Sequence, residues 1–272
     1  MRQGEFVTAP SSLRAALNDV VNGTQNWRLW LALALEDIRT RYMRSFLGTS
    51  WVFISFALFV AVKVLIFLPF TPGGDPKVFC VYVTLGFFVW TFVQANMVEG
   101  CMAFSASQHW IRGARLPLTT FVWQSVCRNT ILNAVNIIVV IVVLAVCQVH
   151  VTPAFLWTIP ALLLIVYNAF WVTMLFAVLS TRFRDFAHLV QTVMRIVMFL
   201  TPIFWLPEQM GGMMDFLIYN PVTHFVFLLR DPILYGTFPI TSACVVAGIS
   251  VATTLAGSGA LIYSRRKVVF WL

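Results

Sequence analysis

Polar side chains inside two hydrophobic runs are the residues of this sequence best suited to handle a polar or charged ligand. In one run four of them recur at helical spacing, namely Ser125, Asn129, Asn133 and Asn136, and Gln124 and Arg128 lie beside them. In another, one helical face would carry His188, Gln191, Arg195 and Met198. A charged side chain at the bilayer centre costs roughly 2.5–3.5 kcal/mol on insertion scales, so it normally faces other helices or a wet cavity. Two interpretations stay open: a pathway for polar cargo, or interhelical hydrogen bonding with arginines that snorkel to the headgroups.

Groups that could perform catalysis are scattered along the sequence. A phosphate-binding Gly-x-x-x-x-Gly-Lys-Ser/Thr loop is absent, and Gly73-Gly74 is not followed by Lys-Ser/Thr. Only Glu99 of the ten acids lies close to a hydrophobic run, whereas ion-coupled carriers usually hold carboxylates near midplane. The four histidines are isolated and the five cysteines form no Cys-x-x-Cys pair. We therefore predict no catalytic residue, no metal site and no cofactor bound by this chain.

The elements that position these residues are predicted to be membrane helices. Hydrophobic residues make up 60% of the 272 positions and charged residues 10%, which leaves too little polar surface for a water-soluble globule. The predicted fold is an all-α polytopic membrane protein with six spans, at about 49–69, 78–98, 119–148, 153–179, 186–206 and 240–263.

Basic residues fix the predicted orientation. Of the 18 Lys and Arg, 13 lie on the same side of the predicted spans as Arg182-Phe183-Arg184-Asp185. Lys77 and Arg230 lie on the opposite side, and the remaining three lie within spans. Because positive loops stay inside the cell, both termini are predicted to be cytoplasmic. The net charge of +8 is spread over span ends, which excludes a nucleic-acid-binding patch.

The regions flanking the spans complete the predicted domain organisation. Residues 1–48 form a cytoplasmic N-terminal segment with two amphipathic helices, and 49–263 form the transmembrane domain. Apolar stripes are expected at Leu13, Ala16, Leu17, Val20 and Val21, before a stop at Gly23, and at Trp27, Trp30, Leu31, Ala34, Leu35 and Ile38. Residues 207–239 are predicted to be a periplasmic gate segment of two short outer-face or re-entrant helices. One of them would start at Asn220-Pro221 and stop at Asp231-Pro232, and 264–272 would form a cytoplasmic tail.

Three segments, in order, resemble the membrane subunits of bacterial ABC-2 polysaccharide exporters, the O-antigen and capsule permeases. Asp37-Ile38-Arg39-Thr40-Arg41-Tyr42 leads into Arg44-Ser45-Phe46-Leu47-Gly48 before the first span. Ser180–Asp185 is similar to the family's loop between spans four and five. Thr201-Pro202-Ile203-Phe204-Trp205 and the later Asn220-Pro221 are similar to its outer-face region.

The resemblance implies roles for particular residues. Contacts with an ATPase subunit would be made by His109, Trp110, Ile111, Arg112 and Arg115 after the second span, and by Phe183, Arg184 and Asp185. The N-terminal interface would use Trp27, Trp30, Arg39, Arg41 and Tyr42. The substrate pathway would include Arg128, Asn129, Asn133, Gln191 and Arg195, with the two arginines guiding a pyrophosphate-lipid head or early sugars. The outer gate would contain Trp205, Asn220 and Pro221.

The resemblance also implies the assembly and the function. Two copies of the chain would form a homodimer in the bacterial inner membrane, above two copies of a separate ATPase that binds ATP and Mg²⁺. The pair would export an undecaprenyl-linked polysaccharide, with O-antigen as the favoured cargo. Exporters of teichoic acid, lipids or drugs remain alternatives within the family. An ion-coupled carrier and a membrane glycosyltransferase or acyltransferase are the alternatives from other classes.

Overall fold

The computed structural model describes residues 13–70, 75–113, 116–150, 152–206 and 219–272. These residues fold into helices joined by short turns, and no strand occurs among them. The helices are α1 (Leu13–Gln25), α2 (Trp27–Tyr42), α3 (Ser50–Phe67), α4 (Pro76–Gly100), α5 (Ala103–Ala106), α6 (Gln108–Gly113), α7 (Leu118–Val135), α8 (Ile137–Val146), α9 (Thr158–Arg182), α10 (Phe186–Leu200), α11 (Pro221–Leu234), α12 (Ile240–Ser264) and α13 (Val268–Trp271).

Five helical segments are long and apolar enough to cross a membrane, which confirms the all-α polytopic fold. They are Ser50–Phe67, Pro76–Gly100, Leu118–Val146, Pro153–Arg182 and Ile240–Ser264. The region predicted as a span at 186–206 differs, because α10 ends at Leu200 after 15 residues. A helix of that length rises about 22 Å, short of the roughly 30 Å hydrocarbon core. Thr201 precedes Pro202, which disfavours helical backbone, and its own backbone is extended.

The bundle is built around α4, whose apolar stretch is the most buried of the five spans. Polar side chains join α9 to α12: Asn168 donates to Ser250 Oγ at 2.8 Å and accepts from Thr253 Oγ1 at 3.0 Å. Close to this network, Gly257 of α12 packs directly on Trp171 of α9. The two helices can approach closely because Gly257 has no Cβ.

Gly257→Ala is expected to destabilise the α9–α12 contact. A Cβ at this position would lie 2.8 Å from Trp171 Cε3 and 2.9 Å from the Trp171 carbonyl oxygen, so the helices must separate. Overpacking of this kind costs roughly 1–3 kcal/mol. Gly259→Ala is the matched control, because nothing within 4 Å surrounds a Cβ there. Thermal unfolding of the purified variants measures the difference, and equal midpoints for both would contradict this account of the contact.

The amphipathic helix α1 packs on the start of α7. The Asp19 carboxylate accepts hydrogen bonds from the backbone N–H and the hydroxyl of Thr119, at 3.2 and 2.9 Å, and lies 3.3 Å from Arg265 Nε. A negative group is stabilised at this position because the N-terminus of α7 carries free N–H groups. Gly23 lies against Thr119, where a Cβ would clash.

This arrangement corrects two sequence predictions for α1. Gly23 does not end the helix, which continues to Gln25; the glycine instead permits the close approach to α7. The buried face consists of Ala16, Asp19 and Gly23, whereas Leu13, Leu17 and Val21 of the predicted apolar stripe stay exposed. The polar partners of Asp19 decide which face of α1 is turned inward.

One of the two short helices predicted for 207–239 is α11, and it is buried inside the bundle. Asn220 caps it by accepting from the Val222 N–H at 3.0 Å, and Pro221 occupies the first turn, which confirms the predicted start. The predicted stop is wrong: the helix passes through Asp231-Pro232 and ends at Leu234, since Pro232 in the last turn removes only one backbone donor. The other helix predicted for this segment would precede Asn220, and residues 207–218 lie outside those described.

Candidate functional site

Four charged side chains from three helices meet where α2 crosses the ends of α4 and α7. Arg128 of α7 donates to Asp37 Oδ2 at 2.8 Å and to Glu99 Oε2 at 3.0 Å. Arg41 of α2 donates to Glu99 Oε1 at 2.9 Å. We call Asp37, Arg41, Glu99 and Arg128 the ionic cluster. Its two positive and two negative charges cancel, and the Arg128 side chain is only 12% exposed.

Local sequence places these groups on facing helix surfaces. Asp37 and Arg41 are four residues apart and so share one face of α2, as Gln124 and Arg128 share one face of α7. Gln124 Nε2 adds a hydrogen bond to Asp37 Oδ2 at 2.9 Å. Earlier on α2, Trp30 stacks on Trp123 of α7 with 5.7 Å between ring centroids. Apolar stacking and ion pairing therefore hold α2 along α7 over several turns.

A cavity of about 560 Å³ lies beside the ionic cluster. Its wall contains all four cluster residues together with Gln124, Ser125 and residues of α5. Two buried polar atoms on α7, Gln124 Oε1 and Arg128 Nε, have no partner among the described residues. Both atoms have almost no accessible surface, so they are enclosed between the helices and are not presented to the cavity.

The residues predicted to contact an ATPase lie at this same end of the bundle. On α6, His109, Trp110 and Arg112 are exposed, while Ile111 is buried and anchors the helix. The turn between α9 and α10 exposes Phe183, Arg184 and Asp185. Arg115 lies outside the described residues. The C-terminal helix α13 packs against both α6 and α9, so the two exposed sets flank a common element.

The five residues predicted for the N-terminal interface differ in their exposure and in their contacts within the chain. Trp27 and Arg39 are exposed on α2, and Tyr42 is half-buried. Trp30 and Arg41 are instead used within the molecule, by the Trp123 stack and by Glu99. An external partner can therefore reach Trp27 and Arg39 directly.

The residues predicted for the substrate pathway fall into two groups that the structure does not bring together. Asn129 is buried against Asn96, and Asn133 accepts from the Thr91 hydroxyl at 3.0 Å. Gln191 and Arg195 lie on an exposed face of α10 and have no partner within the described residues. The pathway role of these residues stays a prediction, and Arg128 itself is already paired with two carboxylates.

At the other end of α4, buried polar groups hold residues 201–206. The Arg230 guanidinium lies 3.7 Å from the Tyr82 ring centroid and donates to the Pro202 carbonyl oxygen at 2.9 Å. The Tyr82 hydroxyl lies 3.0 Å from the carbonyl oxygens of Pro202 and Trp205. Burial raises the pKa of the Asp231 carboxyl to about 6, and the neighbouring Arg230 opposes that rise.

The predicted gate residues lie around this segment. Trp205 Nε1 donates to the Phe199 carbonyl oxygen at 3.2 Å, and Asn220 Nδ2 donates to Thr201 Oγ1 at 2.9 Å. Pro221 starts α11 immediately after Asn220. The end of α10 and the start of α11 are thus joined directly, although their gating role stays a prediction.

Comparison with known proteins supports the resemblance. Residues 111–234 match the family model described as ABC-2 type transporter. Over these residues the chain is similar to the membrane domain of ABC-2 transporters. Such domains are the membrane subunits of transport systems and are not themselves catalytic, and in ABC transporters they work with an ATPase.

Curated relatives extend the similarity beyond the matched ABC-2 region. An O-antigen export system permease protein RfbA of Klebsiella pneumoniae is 22% identical over 244 residues, covering 89% of this chain and 93% of the relative. A protein of the same name from Myxococcus xanthus is 24% identical over 178 residues, covering 65% of this chain and 68% of the relative. The family resemblance inferred from the sequence is confirmed.

Sequence reasoning does not find several residues that the structure brings together, and they lie before the matched region 111–234. Glu99 stands out in the sequence only as the acid nearest a span, and its two arginine partners lie 29 and 58 positions away. Asp37 is 91 positions from Arg128. Tyr82 and Asn96 cannot be singled out, because a single Tyr or Asn in an apolar run gives no periodic signal. The one available signal was the i, i+4 spacing of opposite charges at Asp37 and Arg41.

Proposed function

We propose that this chain is the membrane subunit of an ATP-driven exporter that moves an undecaprenyl-linked polysaccharide, an O-antigen, across the bacterial inner membrane. The names of the relatives support the cargo, and the ABC-2 domain supports the transport role. In this proposal two copies of the chain form the conduit, and a separate ATPase binds ATP and Mg²⁺. The end bearing α2, α6 and the Arg182–Asp185 turn faces the cytoplasm.

One observation carries the mechanism: exposed aromatic and basic side chains lie at the end where α2 is bonded to two spans. Trp110 is 53% exposed and Phe183 is 58% exposed, as expected for groups that insert into a partner surface. A movement of the ATPase against this surface would be transmitted to α4 and α7 through the packed helices and through the ionic cluster. The chain's part in transport is then to convert movement at the cytoplasmic face into movement of its spans.

Trp110→Ala combined with Arg112→Ala is expected to weaken binding of the companion ATPase at least tenfold, because it removes an exposed aromatic anchor and its neighbouring charge. Co-purification of the ATPase with the tagged chain and its stimulated ATP hydrolysis are the measurements. Trp157→Ala combined with Lys77→Ala removes an exposed tryptophan and a cation at the opposite end and serves as the control. Equal ATPase recovery with both double variants would contradict the proposed contact.

Reconstituted vesicles test the function itself. Lipid-linked glycan should cross the bilayer only when the ATPase and ATP are both present. Transport that persists without the ATPase, driven by an ion gradient, would favour a carrier. Movement of small hydrophobic compounds but not of glycan would favour the drug or lipid exporters of the same family.

A further inference from the structure

Two cysteines, Cys80 and Cys147, meet at the end of the bundle opposite the ionic cluster. Cys80 lies in the second turn of α4, and Cys147 directly follows the last residue of α8. Their side chains lie within hydrogen-bonding distance of each other, although they belong to different helices and are far apart in the sequence. Both are half-buried, so a reagent from the surrounding water can reach them. We call these two residues the cysteine pair.

A neighbouring hydrogen bond joins the same two helix ends. Lys77 Nζ donates to Gln148 Oε1 at 3.3 Å. Lys77 and Cys80 are three residues apart and so lie on one face of α4, while Gln148 is the residue after Cys147. The two helices also pack against each other. The approach of the two sulfur atoms is therefore part of a wider contact between α4 and the end of α8.

Each of these helix ends is fixed by its own cap. Asp75 caps α4 by accepting from the Lys77 N–H at 2.8 Å. The end of α8 is closed by a Schellman motif, in which the Val149 N–H donates to the Leu144 carbonyl oxygen at 3.1 Å. Gln148 has a φ of 55° in this motif, a conformation that favours glycine and that other residues adopt at a cost. The two caps hold the cysteine pair in place, so that its members do not depend on a flexible loop to meet.

Two neighbouring thiols can hold a metal ion or can be oxidised to a disulfide. A metal site needs further ligands, and no group of three or more His, Cys, Asp and Glu side chains that could supply them occurs within the described ranges. The compartment favours oxidation. With α2 and α6 at the cytoplasmic face, the cysteine pair lies at the periplasmic face, and the bacterial periplasm keeps disulfides oxidised.

We propose that Cys80 and Cys147 form a disulfide bond on the periplasmic side, which links α4 to α8. The proposal rests on the proposed function, because that function sets which end of the bundle is cytoplasmic. One cysteine thiolate attacks a sulfur of an oxidised dithiol carrier, and the second thiolate then displaces the carrier from the mixed disulfide. The carrier takes up the two electrons and the two protons that the cysteines lose, and it leaves as a dithiol.

The disulfide would connect α4 to its neighbouring span at a second point. Arg128 of the Leu118–Val146 span already binds Glu99 near the cytoplasmic end of α4. The new bond would join the periplasmic ends of the same two spans. Reduction by dithiothreitol should therefore lower the unfolding midpoint of the native chain by roughly 5–10 °C. Cys80→Ser should show the lower midpoint without reductant and should not respond to it.

Thiol labelling in cells tests the disulfide directly. Growing cells are quenched with acid, the chain is denatured and labelled with N-ethylmaleimide, and its cysteine peptides are mapped. Cys80 and Cys147 should be labelled only after treatment with dithiothreitol, whereas Cys101, Cys127 and Cys244 should be labelled without it. In Cys80→Ser, Cys147 should be labelled without reductant. Cys244→Ser is the matched control, because it removes an exposed cysteine of α12 and should leave the cysteine pair protected.

Labelling of both members of the cysteine pair without reductant would overturn the disulfide, and so would protection of Cys147 that survives Cys80→Ser. The map of the native chain decides the question even if Cys80→Ser does not fold. ATP-dependent glycan export by the native chain is measured in parallel. Free thiols together with export would reject the disulfide and leave the proposed function standing. A protected cysteine pair in a chain that does not export glycan would reject the function alone.

Discussion

Arg128→Met is expected to loosen the packing of α2 on the bundle and to weaken ATPase-driven transport strongly. The substitution removes the one cationic contact that Asp37 makes among the described residues, and one of the two that Glu99 makes. Fully buried ion pairs lose roughly 3–5 kcal/mol when one partner is removed. Because Asp37 and Glu99 remain about a third exposed, water recovers part of that loss, and we expect about 1–3 kcal/mol.

The measurements for Arg128→Met are the thermal unfolding midpoint and the ATP hydrolysis stimulated by the assembled complex. Arg14→Met is the matched control: it removes an exposed arginine from α1 that has no partner in the described structure and belongs to no predicted contact surface. The control should keep both properties close to native values. A native unfolding midpoint for Arg128→Met, together with unchanged coupling, would show that the ionic cluster does not hold α2.

Arg230→Ala is expected to release residues 201–206 from α4 and α11. The guanidinium is 2% exposed, so the change removes the Tyr82 stack, removes a donor to the Pro202 carbonyl oxygen and leaves a cavity. Cavity formation and a lost buried hydrogen bond together cost roughly 2–5 kcal/mol. Arg230→Lys keeps the charge but loses the planar stacking surface, so its effect should be smaller.

Unfolding midpoints of Arg230→Ala, Arg230→Lys and Tyr82→Phe in detergent test this assignment. If Tyr82 and Arg230 act on the same segment, the combined Tyr82→Phe and Arg230→Ala change should cost less than the sum of the two single changes. Strict additivity would mean that the two side chains stabilise the region independently. Protease accessibility near Trp205 gives a local readout of the released segment.

Hydropathy predicted the five long helices because lipid-facing residues must be apolar whatever their neighbours are. It was less successful where tertiary contacts decide the outcome. The helix expected over 186–206 ends at Leu200, because Pro202 disfavours its continuation and Tyr82 and Arg230 bind the following backbone. Tyr82 and Arg230 lie 120 and 28 positions from Pro202, so the sequence does not indicate that they would bind this backbone.

Arg230 and Asp19 show the same limitation. Arg230 falls within the predicted outer segment 207–239, whereas α11 carries it into the bundle against Tyr82. Asp19 interrupts the apolar pattern of α1 and yet defines its buried face, because Thr119 and Arg265 satisfy the carboxylate. In both cases a charged residue is buried because partners distant in the sequence compensate it, and a periodicity argument contains no information about those partners.

The shared position of Arg128 between Asp37 and Glu99 has a mechanical consequence. Because one guanidinium is bonded to both carboxylates, α4 and α7 are held together at that end and should move as one rigid body when α2 is displaced. A passage for the cargo must then widen at a helix contact that is less tightly packed. The first span, α3, has the least buried apolar stretch of the five, so its contacts with the rest of the protomer are where such widening can occur.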